Sequence, residues 1–196
     1  MKETIINLIL ASSSPYRRSL LQRLEIPFES ESPKVDESQL EGETPTDLVL
    51  RLAEIKAAAI APAYQESLII GSDQVAIADN EILSKPGNHE NAITQLKKVS
   101  AKSIVFLTGL CVINTANNNV QKDCISYTVH FRDLTDDEIE RYLLLEKPYD
   151  CAGSFKSEAC GVSLMQRMEG DDPTSLIGLP LIRLAEMLRN EGLNIP

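Results

Sequence analysis

The chain has 196 residues, 43% of them hydrophobic and 24% charged, enough to bury a core and consistent with a single domain over residues 1–196. Its formal net charge of -10 excludes a long nucleic-acid footprint, which needs a field of positive charge, but not a single nucleotide held by a local basic cluster. The N-terminal apolar run is too short for a membrane span and lacks a secretory cleavage pattern, so a cytoplasmic location is expected, with no membrane partner.

In chain order, Asn7 to Ala11 reads as a short buried strand, followed by a Ser-rich turn. A helix is predicted from Arg17 to Glu25, with Leu20, Leu21 and Leu24 on one face. Ser30 to Thr46 mixes Ser, Pro, Glu and Gly and reads as a polar loop. Thr46 is placed as the cap of a helix through Ala59, on which Leu48, Leu52, Ile55 and Ala59 recur at helical spacing. Ser67 to Ile77 is predicted as a strand, turning at Asp79-Asn80 into a short strand from Glu81 to Leu83. Asn88 caps a helix to Val99. Two strands, Ile104 to Ile113 and Cys124 to Phe131, flank the turn-rich Asn117-Asn118-Asn119. Thr135 with Glu138 forms a capping-box pattern that opens a helix ending near Leu145, and a last helix runs from about Leu179 to Asn190. Helices and strands interleave, which predicts an α/β fold with a mixed sheet flanked by helices.

Several segments carry groups suited to chemistry. Ser12-Ser13-Ser14-Pro15-Tyr16-Arg17-Arg18 lies between a strand and a helix, where exposed N–H groups, hydroxyls and a guanidinium favour an anion. The alternative is a Ser-capped helix with two arginines in solvent. Asp73, in Gly71-Ser72-Asp73-Gln74, is expected where a buried strand opens into a turn. There it is either a turn cap or a general base or metal ligand. Glu37 can supply an oxygen ligand to Mg²⁺, and Lys56 and Lys85 can meet a polyphosphate, Lys56 from the edge of a buried stripe. Each of these is also an ordinary surface charge if they do not converge. Cys111, Cys124, Cys151 and Cys160 form no C-x-x-C pair and are read as reduced thiols. His89 and His130 have no metal-ligand spacing and are read as structural or exposed.

The ordered set Ala11 to Arg18, Val35-Asp36-Glu37, Arg51-Leu52-Ala53 with Lys56-Ala57, Gly71-Ser72-Asp73, Lys85-Pro86, Phe131-Arg132, Ala152-Gly153 and Gly178-Leu179-Pro180 resembles the Maf family of nucleotide pyrophosphatases. The motifs extend over essentially the whole chain. The resemblance implies an α/β fold with the site in a cleft between two lobes, related to inosine triphosphatase-like architecture. It implies hydrolysis of a nucleoside triphosphate to a monophosphate and diphosphate with a divalent cation, Mg²⁺ or Mn²⁺. It places Asp73 as the catalytic carboxylate, with Ser12, Arg17, Lys56 and Lys85 on the substrate and Glu37 on the metal. A homodimer is a family-level expectation.

Tyr16, Gln74 and Glu158 depart from the branch acting on dTTP and UTP, where those places hold Arg, Thr and Gln, and resemble the branch acting on 7-methyl-GTP. The chemistry agrees: a carboxylate accepts two hydrogen bonds from the N1–H and N2–H edge of guanine, and an aromatic face favours the cationic methylated purine. The alternatives are dTTP or UTP as substrate, or a nucleotide-binding regulator of septum formation.

Overall fold

The structure is a computed structural model that describes residues 7–195. Strands β1 (Asn7–Ala11), β2 (Glu29–Glu31), β3 (Ser67–Ala78), β4 (Glu81–Leu83), β5 (Ser103–Asn114), β6 (Asn119–Phe131) and β7 (Met165–Glu169) form one mixed sheet. Its order is β2-β1-β3-β5-β6-β7, with β4 added beside β3. Helices α1 (Pro15–Gln22), α2 (Pro45–Ile60), α3 (His89–Val99), α4 (Asp136–Glu146) and α5 (Leu181–Asn190) flank it. The interleaved α/β architecture and the mixed sheet are as expected.

Local chemistry fixes the element ends. Asp79 and Asn80 both take positive φ, the two-residue turn that matches strand twist, and β4 follows at once. The Asn88 side chain accepts from Asn91 N at the start of α3, and Thr135 and Glu138 close a reciprocal capping box on α4. The cap of α2 is Thr44 rather than Thr46. Its hydroxyl accepts from Asp47 N, and Pro45 fills the first turn, where a missing N–H costs nothing. Likewise α1 begins at Pro15 behind Ser14 and stops at Gln22, because Glu25 already has φ +54°. The stretch expected as loop from Ser30 holds the end of β2, which pairs in parallel with β1.

Alternation along β3 divides the core. Leu68 and Ile70 face α1 and α5, packing on Leu20, Leu21, Leu184 and Leu188. Further along the same face, Ala76 and Ala78 pack with Ala92 and Leu96 of α3 and Ile139 and Leu143 of α4. Between these two apolar clusters the strand carries Ser72 and Gln74. The opposite face lies under α2, where Ile69 meets Ala53 and Ala57, and Val75 meets Leu48, Val49 and Leu52. The result is two lobes on one face of a shared sheet, as the resemblance implied.

Candidate active site

A cleft of about 710 Å³ opens where the sheet is incomplete. β1 pairs with β3 only at residues 67–70, and β4 pairs with the same edge only at 76–78. Residues 71–75 therefore have β5 on one side and an open edge on the other. Asp73 and Gln74 lie in this notch. Asp73 is thus in mid-strand, 7% exposed, and not at a strand end opening into a turn. The notch, and not a turn, gives it access to the cleft, which removes the reading of Asp73 as a turn cap.

All of the residues assigned to the site from the sequence line this one cleft: Ser12, Tyr16, Arg17, Glu37, Lys56, Asp73, Gln74, Lys85 and Glu158. Helix α2 delivers Lys56 because it lies unusually close to the sheet. A Cβ built at Gly71 would fall 2.0 Å from Ala53 O, and one at Gly109 only 2.1 Å from Val49 O. Gly109 is the cross-strand partner of Asp73. Lys56 is 5% exposed and stands inside the buried stripe of α2, not at its edge; that stripe is Leu48, Val49, Leu52, Ala53, Lys56, Ala57 and Ile60, while Ala59 is exposed. Its ammonium is 2.6 Å from Asp73 Oδ1 and 3.0 Å from Glu37 Oε1. Each carboxylate keeps its second oxygen free of any partner among the described residues.

On the other flank, Ser14 caps α1 through a 3.4 Å bond from Arg17 N, and Ser12 Oγ accepts from Ser14 N at 3.1 Å. Both hydroxyls therefore shape the turn that bears Arg17. The Arg17 guanidinium is half-buried and anchored by Nε, which donates to Gly178 O at 2.8 Å. Burial pulls its pKa below the ordinary arginine value, and the charges of Asp73 and Glu37 oppose that shift. Lys85 is exposed at the cleft and forms no ion pair with any described residue.

The remaining wall is aromatic and acidic. Tyr16, Asp150, Cys151, Phe155 and Glu158 lie there. Burial, then Cys151, Asp150 and Glu158, raise the Tyr16 pKa, so its hydroxyl stays protonated. Burial likewise pushes the Cys151 thiol up to about 11.

Sequence reasoning singled out Gln74 but missed the groups that hold it and Arg17 from behind: Thr108, Asp172 and the carbonyls of residues 175–178. Gln74 Nε2 donates to Ser175 O at 2.7 Å and to Leu176 O at 3.1 Å, while its Oε1 has no partner among the described residues. Thr108 Oγ1 also donates to Ser175 O, and Ser72 Oγ lies 3.0 Å from Gly178 O, the oxygen that receives Arg17. Asp172, 2% exposed, accepts from Thr174 N and from Ile182 N and so ties this turn to the start of α5. The only signal in the sequence was a polar residue at alternate positions of an apolar strand.

The two histidines brace surface elements away from the cleft: His89 bridges Tyr149 and Glu140, and His130 bridges Ser103 and Glu169. All four cysteines are free.

A family model described as Maf-like protein matches residues 7–191. A Pseudomonas aeruginosa protein named 7-methyl-GTP pyrophosphatase is 56% identical over 190 residues, covering 97% of this chain and 99% of that protein. A protein of the same name from Methylobacillus flagellatus is 52% identical over 188 residues, covering 96% and 98% respectively. Among solved structures, the Staphylococcus aureus Ham1 protein aligns with a TM-score of 0.49 at 12% identity, over 94% of this chain and 99% of that one. With the family model spanning nearly the whole sequence, this chain belongs to the Maf family.

Proposed function

We propose that the protein hydrolyses 7-methyl-GTP to 7-methyl-GMP and diphosphate. The observation that carries this reading is the division of charge within one cleft. Arg17 and Lys56 stand by Asp73 and Glu37, Tyr16 stands by Asp150 and Glu158, and Lys85 lines the same cleft. A triphosphate suits the first set, and a guanine made cationic by N7 methylation suits the second. The names carried by relatives more than half identical to this chain support the same substrate.

In this mechanism the start of α1, Arg17 and Lys85 receive the phosphates. Lys56 holds Asp73 by Oδ1, which leaves Oδ2 to orient or deprotonate the attacking water. Glu158 accepts from the N1–H and N2–H edge of the base, and Tyr16 offers it an aromatic face. Positioning and charge neutralisation supply most of the rate.

A divalent cation fits the donor set. Among the described residues no group of three or more His, Cys, Asp or Glu gathers around a metal position. The free oxygens of Glu37 and Asp73 match an ion that takes one or two carboxylates and completes its shell with substrate phosphate and water. Bound there, Mg²⁺ or Mn²⁺ would neutralise charge on the phosphates.

A panel of triphosphates with Mg²⁺ or Mn²⁺, read by product analysis, tests the proposal. Diphosphate should appear, with turnover of 7-methyl-GTP above that of GTP, UTP and dTTP. Stepwise release of single phosphates, or equal turnover across the panel, would overturn it. Asp73→Asn should remain folded and lose about 10²- to 10⁴-fold in kcat.

A further inference from the structure

Glu37 stands on the segment between β2 and α2, residues 32–44, and apolar packing does not hold that segment. No apolar residue in it is buried, Leu40 is 58% exposed, and the Glu37 side chain is 57% exposed with Lys56 as its contact. Such a segment should sample many conformations, and a carboxylate on it should be poorly placed for chemistry. One side chain ties both of its limbs together. Arg51, one and a half turns into α2, donates from Nε to Glu43 Oε1 at 2.6 Å and from Nη2 to Glu43 Oε2 at 2.8 Å. The same Nη2 donates to Ser38 O at 3.0 Å, on the residue that follows Glu37. Glu43 Oε2 in turn accepts from Leu40 N at 3.0 Å, and Gln39 Nε2 donates to Glu43 O at 2.8 Å. The Glu43 side chain is 7% exposed, the most protected polar group of the segment.

We propose that Arg51 and Glu43 form a clasp that sets the Glu37 carboxylate in the cleft, so that both are positioning residues for the reaction. A planar fork is required for this. It grips both carboxylate oxygens and still reaches a carbonyl on the far limb, which a lysine ammonium cannot do with the same geometry. α2 thereby fixes Glu37 twice, by Lys56 at its carboxylate and by Arg51 through its backbone. The catalytic part of this inference rests on the proposed hydrolysis; the structural part does not.

The experiment uses the full chain with Arg51→Met, Arg51→Lys, Glu37→Gln and the double variant Arg51→Met/Glu37→Gln. Backbone amide exchange of the metal-free protein should accelerate at residues 38–43 in Arg51→Met, while β3 and β5 keep their protection. In 7-methyl-GTP hydrolysis, Arg51→Met should lose about 10- to 100-fold in kcat and need more Mg²⁺ for half-maximal rate, with Arg51→Lys between it and the parent. On the Glu37→Gln background the same change should lose much less. Unchanged exchange at residues 38–43 would overturn the clasp, and so would a full, independent loss on the Glu37→Gln background. If the parent hydrolyses no triphosphate, the functional reading fails, and exchange alone decides the clasp.

Discussion

Lys56 brings a positive charge out of solvent between two negative ones, with side-chain exposures of 7% for Lys56, 10% for Asp73 and 57% for Glu37. Removing the middle charge leaves Asp73 buried and unpaired beside a second carboxylate, the expensive way to break such a group. Lys56→Met should therefore cost about 3 kcal/mol in urea unfolding, near the lower end for a broken buried pair. Glu37→Gln, largely in water, should stay within about 1 kcal/mol while still lowering activity. Equal destabilisation by the two would show that the ammonium gains nothing from its position. The base end of the cleft reads differently. Glu158→Gln replaces an acceptor-only group with one that also donates, so the ratio of 7-methyl-GTP to UTP turnover should fall; an unchanged ratio removes Glu158 from base recognition. Cys151, beside Tyr16, has its thiol held up at about 11 by burial and then by Asp150. Its thiolate is scarce at neutral pH, so alkylation of that residue should be slow near pH 8, rise about tenfold per pH unit and level off only near 11.

At the scale of elements, the approach of α2 to the sheet is the feature with least tolerance. At Gly71 a methyl group would meet backbone, Ala53 O at 2.0 Å and Ala57 N at 2.9 Å, so nothing flexible can yield. Gly71→Ala should push α2 outward, destabilise by about 1–3 kcal/mol as other overpacked sites do, and lower turnover by withdrawing Lys56 from Asp73. Normal stability with normal turnover would mean that α2 floats on the sheet. The ends of helices give a pH dependence. Glu138 is held down to about 2 by Thr135 N–H and then Arg132, and Glu43 to about 2 mainly by Arg51. Both depart from an ordinary value of 4.5, so their stabilisation is fully present above that range and is lost as pH falls from about 4.5 to 2. Urea midpoints should decline over that window, less steeply in Glu138→Gln. Elements that announce themselves locally were legible in the sequence: the Asp79-Asn80 turn, the Asn88 cap and the Thr135 capping box all form as read. β2 and β7 were not, because Glu29–Glu31 and Met165–Glu169 are polar edge segments whose strand character comes from the neighbour they pair with. Asp73 shows the same limit. Its residue type pointed to the site, but its access depends on where β1 stops and β4 begins, which no local pattern encodes.

Across the whole molecule, one face of the sheet carries two separate apolar clusters divided by a polar strip of Ser72, Gln74 and Thr108. The 175–178 turn closes that strip by its carbonyls. Ser175 O receives Gln74 and Thr108, and Gly178 O receives Ser72 and Arg17. These hydrogen bonds tie the turn to the shared sheet behind the cleft, Leu176 packs in the cluster of α3 and α4, Leu179 packs in that of α5, and Arg17 is aimed by the same turn. Thr108 is fully buried and does not line the cleft, so it reports on this junction without touching substrate. Thr108→Val keeps the volume, removes the bond to Ser175 O and takes an acceptor from Gln74 Nε2, at a cost of about 1–2 kcal/mol. Because the junction sets Arg17 and not the base, turnover should fall by the same factor for 7-methyl-GTP, GTP and UTP. Urea unfolding and the triphosphate panel on that one variant measure both effects. A shift in base preference instead of a uniform fall would mean that the turn, through Gln74, acts on the nucleobase rather than on the phosphate end of the cleft.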